Sequence, residues 1–493
     1  METSVILHPD FQAGKVDQRI FGGFLEHLGR AVYGGIYDPE SVHAGTDGCR
    51  KDVLDALDRL DITAMRYPGG NFVSGYHWQD GIGPLERRPV KNDPVWKSLE
   101  SNRFGTDEFL RLCVKMKWKP MMTVNLGTGS PVEALNWLLY TNSHAGTNRY
   151  SGMRAENGFF GPYNVKLWCL GNEMDGPWQL GHVPVEQYAA LAEKTAKMMK
   201  EADPSIELTA CGTSAFGMPS YLDWDRHVLE SLSGDIDYLS IHRYVGNREN
   251  DTMEYLAVTG YIDSTIEEID ALCRFVKARR KDEKRVFISF DEWNVWYKNM
   301  EQDGHGMQAP HLLEEVYNLE DALVVAGFLN SFIRHADCVK IANIAQAVNV
   351  IAPILTRGDE MLLQSIYYAF GMFTGRREGI SLKPVVKGPS YLTKSKTDAF
   401  YADVSAILSQ DILHTFIVNR SLNEKMIVNL EMAGIDLFLE NAELLTGKDP
   451  KDSNSFEDPY KIKPISFSEA AFKNGKAVFE LPPLSFLAAS WKL

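Results

Sequence analysis

Two glutamates in this chain have the setting that acid–base chemistry needs. Glu173 ends the run Val165-Lys166-Leu167-Trp168-Cys169-Leu170-Gly171-Asn172-Glu173, and Glu292 ends a second run of the same design, Arg285-Val286-Phe287-Ile288-Ser289-Phe290-Asp291-Glu292. Both runs are apolar along most of their length and turn polar abruptly, as does a strand covered on both faces that delivers a carboxylate at its rigid end. Asp175 adds a further carboxylate after the first run, where Gly176-Pro177 enforces a turn. Hydrolysis of a glycosidic bond uses such a pair. One carboxyl protonates the leaving oxygen, the other attacks the anomeric carbon or activates water, and their surroundings must differ so that one holds a proton while the other stays ionised. A lone strand-end glutamate is as often a salt-bridge partner or a solvated rim residue; two beside amides and aromatics make that reading much weaker.

The elements that must position this pair alternate in type. Apolar runs at 20–24, 62–65, 120–124, 165–170, 206–210, 236–241, 285–290 and 339–344 read as strands, with helical patterns over 52–60, 131–139, 185–200, 262–278 and 313–334 among the segments between them. Eight strands alternating with helices is the pattern of a (β/α)8 TIM barrel. The polar residues support it, because they fall at the ends of most strands: Glu26, Arg66, Asn71, Asn172, His242, Tyr244 and Gln346. A doubly wound open sheet would gather its ligands at one switch point instead. These groups could hold a sugar, with Asn172 donating to a hydroxyl near the reacting centre. Trp96, Trp178 and Trp296, in loops or just past strands, offer faces on which sugar rings pack.

Past residue 380 the pattern changes to short β-type runs, at 404–408, 414–418, 426–430 and 477–481. They predict a C-terminal antiparallel, jelly-roll-like β-sandwich, which the isolated strand at 4–7 could complete. The expected organisation is therefore an N-terminal strand within 1–16, a barrel over 17–379 and the sandwich over 380–493.

Composition excludes several classes. The 493 residues carry a net charge of −15, which disfavours a nucleic-acid partner or an anionic membrane surface. The six cysteines are scattered without metal or redox spacing and read as reduced core residues. No run approaches a membrane span and the first twelve residues have no basic leader or apolar stretch, so a cytoplasmic protein is expected. Gly127-Thr128-Gly129 lacks the third glycine of a dinucleotide site and the lysine of a phosphate loop, and reads as a turn. There is no His-Glu-x-x-His, no Gly-x-Ser-x-Gly elbow and no metal-spaced cluster; the expectation is chemistry with no metal and no cofactor.

At these residues the chain resembles the α-L-arabinofuranosidases of glycoside hydrolase family 51. The resemblance covers nearly the whole chain and rests on Phe21-Gly22-Gly23-Phe24-Leu25-Glu26-His27-Leu28-Gly29-Arg30, Arg66-Tyr67-Pro68-Gly69-Gly70-Asn71, Trp168-Cys169-Leu170-Gly171-Asn172-Glu173 and Phe290-Asp291-Glu292-Trp293-Asn294-Val295-Trp296-Tyr297. It implies a retaining enzyme with Glu173 as acid/base and Glu292 as nucleophile. Glu26, Asn71, His242, Tyr244 and Gln346 then match positions that surround the arabinofuranose. It also implies a trimeric or hexameric assembly. Arg243 departs locally, standing between His242 and Tyr244 where Gln is expected in similar sequences. The function expected is exo-hydrolysis of terminal arabinofuranose from arabino- and arabinoxylo-oligosaccharides. The alternatives are a β-xylosidase or endo-β-glucanase on the same scaffold, and a non-catalytic carbohydrate-binding protein.

Overall fold

The computed structural model describes every residue except Asn474. Eight parallel strands close a barrel in chain order: Gly22–Phe24, Ala64–Tyr67, Lys119–Val124, Leu167–Leu170, Glu207–Cys211, Tyr238–Val245, Phe287–Val295 and Val339–Ala345. Their residues are almost all buried, since helices cover the outside and side chains fill the inside. The first strand is shorter than its apolar run suggests. Gln18–Phe21 forms a 3-10 turn, with the Asp17 side chain accepting from the Arg19 amide, and only Gly22–Phe24 pairs. The seventh strand is longer than expected and carries Asp291 and Glu292 in its interior, ending at Val295.

The helix expected over 313–334 starts at Leu319, where Asn318 and Asp321 cap one another: the Asp321 amide donates to Asn318 Oδ1 (3.1 Å) and the Asn318 amide to Asp321 Oδ2 (2.9 Å). Arg149–Glu156, Asp223–Leu232 and Ser365–Gly371 are helices not among the expected elements. The first two differ in legibility. Asp223–Leu232 does place Trp224, Val228, Leu229 and Leu232 at helical spacing, whereas Arg149–Glu156 buries only Ser151 and Arg154 and has no apolar stripe to read.

The C-terminal strands build two sheets. One orders Val385–Lys387, Glu2–Leu7, Met426–Met432, Lys476–Leu481 and Ala470–Lys473; the other has seven strands, with Ala402–Ser409, Ile412–Asn419, Ser485–Lys492 and Phe438–Thr446 at its centre. All pairings are antiparallel except one. Glu2–Leu7 runs parallel to Met426–Met432, so the two ends of the chain share a sheet. The inner faces of the sheets form their own core around Val5, Leu7, Leu413, Val428, Phe479 and Trp491.

The helix Leu319–Arg334 explains how the two bodies hold together. Its whole circumference is buried, the polar Glu320, Asp321, Asn330 and Ser331 included, and only Arg334 is not, because the barrel lies on one side and the seven-stranded sheet on the other. Phe373, which follows Ser365–Gly371, stacks on Phe416 of that sheet at 4.2 Å between ring centroids. At the same junction Asp403 is buried among donors from three segments: Thr259 Oγ1 (2.8 Å), Asn330 Nδ2 (3.3 Å), Arg334 Nη1 (2.6 Å) and Arg420. Burial alone would raise this carboxyl, but Arg334 and Arg420 hold it below the usual carboxylate range. With a folded-state pKa below the unfolded one, the contribution is present at neutral pH and is lost in acid. Asp403→Asn should therefore destabilise the fold by about 3–5 kcal/mol, by leaving buried guanidinium charge unpaired. Urea unfolding at pH 7 and at pH 3 tests this: the gap between wild type and variant should shrink below the unfolded pKa of about 3.8, and an unchanged midpoint at pH 7 would contradict it.

Candidate active site

The strand ends on one face of the barrel converge on a cavity of about 470 Å³. Glu173 enters it from the fourth strand by an unusual backbone path. Gly171 has φ of +86° and Glu173 itself has φ of +44°, the left-handed region that a glutamate rarely occupies. Such strain persists only where the surroundings fix it, and it turns the Glu173 side chain into the cavity beside His242 and Trp178. Glu292 arrives from the seventh strand without that detour. Opposite it, Gly70 is required for space: a Cβ there would lie 2.9 Å from Glu292 Oε1 and 3.3 Å from Glu26 Oε2.

Two cations make this density of carboxylates tenable. Arg66, 1% exposed, donates from Nη1 to Glu292 Oε1 (2.6 Å) and from Nη2 to Asn172 Oδ1 (2.7 Å), and its Nε lies 3.2 Å from Asp291 Oδ2. Its planar fork suits that task, which a lysine could not perform. His242 is the second. Burial alone would lower its pKa, but Glu292, Asp291 and Glu173 around it raise it to about 10, so it is an imidazolium at neutral pH. It donates from Nδ1 to Glu173 Oε1 (2.9 Å) and from Nε2 to Ser240 Oγ (3.1 Å), and Ser240 in turn donates to Asp291 Oδ1 (2.6 Å). For Asp291 burial works towards a raised pKa, and Arg66 with His242 outweighs it and holds the carboxyl low.

The two candidate carboxylates differ in their remaining partners. Glu292 Oε2 accepts from the Tyr244 hydroxyl (2.9 Å), while Glu173 Oε2 accepts from Trp178 Nε1 (2.6 Å). Trp178 is 48% exposed, so Glu173 stands at the mouth and Glu292, 5% exposed, at the base. Single oxygens of the two carboxylates and His242 Nδ1 all lie within 4.8 Å of one another.

The opposite wall is a hydrogen-bonded unit from the first, second and eighth strand ends. Glu26 accepts from the Phe72 amide (2.9 Å), Trp96 Nε1 (3.1 Å) and Gln346 Nε2 (3.1 Å), and its own amide donates to Gln346 Oε1 (3.0 Å). Burial, with the charge of Glu292 adding to it, pushes the Glu26 carboxyl up to about 8 against the pull of those donors. Asn71 lines the same wall, and Trp296 meets Tyr244 edge to face at 5.5 Å.

Most of the expected residues therefore come together: Glu26, Asn71, Trp96, Glu173, Trp178, His242, Tyr244, Glu292, Trp296 and Gln346 all line the cavity. Arg66 and Asn172 do not. Both are buried beneath it, where they fix Glu292. Asp175 does not present its carboxylate either; buried, it accepts from the Ser214 amide (2.9 Å) and ties the loop after the fourth strand to the loop after the fifth. The cavity also has walls absent from the sequence expectation, among them Phe216, Gln302, Leu313 and Ile351. Phe216, Gln302 and Ile351 lie in loops without periodicity, and Leu313, within the helical pattern read over 313–334, lies ahead of the helix that begins at Leu319; only the fold brings them to the mouth.

Among the described residues two groups offer three close metal-ligating side chains: Glu173 with His242 and Glu292, and His335 with Asp337 and Cys338. In the first, Arg66, Tyr244 and Trp178 already neutralise or bond the carboxylates, and the imidazole is protonated. In the second, His335 Nε2 faces Asp263 (3.1 Å) and Cys338 Sγ donates to the His335 carbonyl (3.5 Å). Neither donor set is arranged around an ion.

Comparison with known proteins finds arabinofuranosidases that match along nearly the whole chain. Residues 56–250 match the model of the alpha-L-arabinofuranosidase 1 domain and residues 291–485 that of the alpha-L-arabinofuranosidase C-terminal domain. The chain is 42% identical over 477 residues to the intracellular exo-alpha-(1->5)-L-arabinofuranosidase of Acetivibrio thermocellus, covering 94% of each protein. It is also 42% identical, over 98% of its own length and 97% of the relative's, to the intracellular exo-alpha-(1->5)-L-arabinofuranosidase 1 of Bacillus subtilis. A solved family 51 alpha-L-arabinofuranosidase from Bifidobacterium longum superposes with a TM-score of 0.95 at 35% identity, covering 99% of both chains. The chain belongs to the α-L-arabinofuranosidases of glycoside hydrolase family 51.

Proposed function

We propose that this chain releases terminal non-reducing α-L-arabinofuranose from arabino- and arabinoxylo-oligosaccharides by double displacement, with retention of the anomeric configuration. The observation that carries the reading is the close approach of the two carboxylates, with single oxygens inside 4.8 Å and His242 between them. Retaining enzymes hold their carboxyl groups roughly 5–5.5 Å apart, and inverting ones roughly 6.5–9.5 Å, to admit a water. Glu292, the buried member, attacks the anomeric carbon; Arg66 and Tyr244 hold its two oxygens in fixed orientation. Glu173, at the mouth, protonates the leaving oxygen. His242 bonds Glu173 Oε1 from Nδ1 (2.9 Å) and so fixes the orientation of the carboxyl that donates. In the second half Glu173 takes a proton from the water that opens the glycosyl ester. Glu26, Asn71 and Gln346 face the sugar from the far wall, and a single ring buried there fits exo action better than a long groove would. Relatives named intracellular support a cytoplasmic place of work on short imported substrates. A trimeric or hexameric assembly is part of the same reading, checked by the mass of the protein in solution.

Turnover of an aryl α-L-arabinofuranoside, beside an aryl β-xyloside and a cello-oligosaccharide, tests the substrate. The arabinofuranoside should be preferred, and Glu292→Ala should lower kcat/KM by about 10⁴-fold or more. Glu173→Ala should cost about 10²–10⁴-fold on an oligosaccharide and less on a nitrophenyl glycoside, whose leaving group needs little protonation. Proton NMR of the first product formed distinguishes retention from inversion; a β-arabinose product would defeat the double displacement.

His242 gives a separate signature. Its folded-state pKa lies above its unfolded one, so its stabilising contribution is complete below about pH 6.5 and is lost as pH rises through about 10. Denaturation midpoints of wild type and His242→Gln should accordingly differ most at pH 6 and converge towards pH 10. A gap that widens with pH would contradict the imidazolium assignment.

A further inference from the structure

The cavity has one cation that its own carboxylates do not use. Arg66 and His242 are both taken up by Glu173, Asp291 and Glu292. Arg243 is not. It projects from the sixth strand between His242 and Tyr244, on the opposite face of the strand, and its guanidinium lies over the Phe216 ring at 4.8 Å from the centroid. Both residues line the cavity. Burial lowers the Arg243 pKa, and only Tyr221 works the other way; among the described residues no carboxylate pairs with it. The acidic groups of the neighbouring groove, which shares Arg243 as a wall, are occupied elsewhere: Asp251 lies 3.2 Å from Lys394, which also pairs with Glu249, and Glu254 accepts from the Lys394 amide (2.8 Å).

Its position around the barrel says which part of a substrate it meets. The wall that faces the terminal sugar comes from the first, second and eighth strands, through Glu26, Asn71 and Gln346. Glu173 is on the fourth strand, across the barrel, and Phe216 and Arg243 follow the fifth and lie on the sixth. The leaving group must depart past Glu173, so Phe216 and Arg243 line its exit and not the pocket of the cleaved sugar. A partly desolvated guanidinium without a counter-charge is unfavourable, and a ligand carboxylate relieves it by bidentate bonding that neutral hydroxyls cannot match. Stacked on Phe216, the fork is already oriented, so little side-chain freedom is lost on binding.

We propose that Phe216 and Arg243 form a leaving-group subsite that selects aglycones carrying a carboxylate, such as uronic-acid-bearing oligosaccharides. This rests on the arabinofuranosidase reading above. The net charge of −15 does not oppose it, since the subsite acts at contact distance while the remaining charge is screened over about 8 Å at physiological salt.

The test uses two probes that differ at one group: the 4-carboxyphenyl and the 4-(methoxycarbonyl)phenyl α-L-arabinofuranosides. For each enzyme the ratio of kcat/KM, carboxylate over ester, is measured; comparing ratios between enzymes cancels the intrinsic reactivity of the leaving groups. Arg243→Gln should lower the ratio about tenfold, mainly through KM for the carboxylate. Phe216→Leu should lower it in the same direction, which guards against a folding defect in one variant, and 0.5 M salt should lower it in wild type alone. A ratio equal in wild type and both variants, with both probes cleaved, overturns the subsite and leaves the arabinofuranosidase reading standing. If wild type cleaves neither probe, that reading falls and the subsite with it.

Discussion

The site depends on keeping Arg66 and His242 charged among buried carboxylates. Glu173, Asp291 and Glu292 could not share so small a volume as anions in a low-dielectric interior without cations at contact distance. Arg66 reaches the seventh-strand pair Asp291 and Glu292 from the second strand, and His242 reaches Glu173 from the sixth. The geometry of the proposed reacting pair is therefore set by residues that do not all line the cavity. Arg66 lies beneath the cavity and acts by fixing the orientation of Glu292.

The two ends of the site have opposite characters. At the base, Glu26 and Gln346 bond to each other through both side chain and backbone, and Trp96 and the Phe72 amide close the remaining valences of Glu26. That wall is rigid and already satisfied, as suits recognition of one sugar of fixed shape. At the mouth, Trp178 is half exposed, Arg243 has no anionic partner among the described residues, and the loops that carry Phe216 and Gln302 contribute the rest. The proposed roles, acid at the mouth and nucleophile at the base, match this gradient.

Support for the barrel comes partly from outside it. The sandwich buries one whole side of Leu319–Arg334, the helix that follows the strand bearing Glu292, and the Asp403 cluster closes the junction. The parallel pairing of Glu2–Leu7 with Met426–Met432 draws the start of the chain into the same body. Removing the sandwich would expose an apolar helix face directly behind the seventh and eighth strands.

Much of this was legible in the sequence for a simple reason. Strands covered on both faces read as unbroken apolar runs, and in a parallel barrel the functional groups must sit where those runs end, so Glu26, Glu173, His242, Glu292 and Gln346 announced themselves by position. Local chemistry also gave away the turn at Gly176-Pro177. The sequence could not assign Arg66, Asn172 and Asp175 to the layer behind the cavity, because a strand end shows a polar side chain but not whether it points to solvent or to a buried partner. Nor could it foresee that Glu2–Leu7 would run parallel to Met426–Met432 at the far end of the chain, since register between distant strands is decided by side-chain packing in the shared core. The mouth of the site was the least visible part: Phe216 and Ile351 belong to aperiodic loops, Leu313 precedes the helix its pattern suggested, and only closure of the barrel brings them beside Arg243 and Trp178.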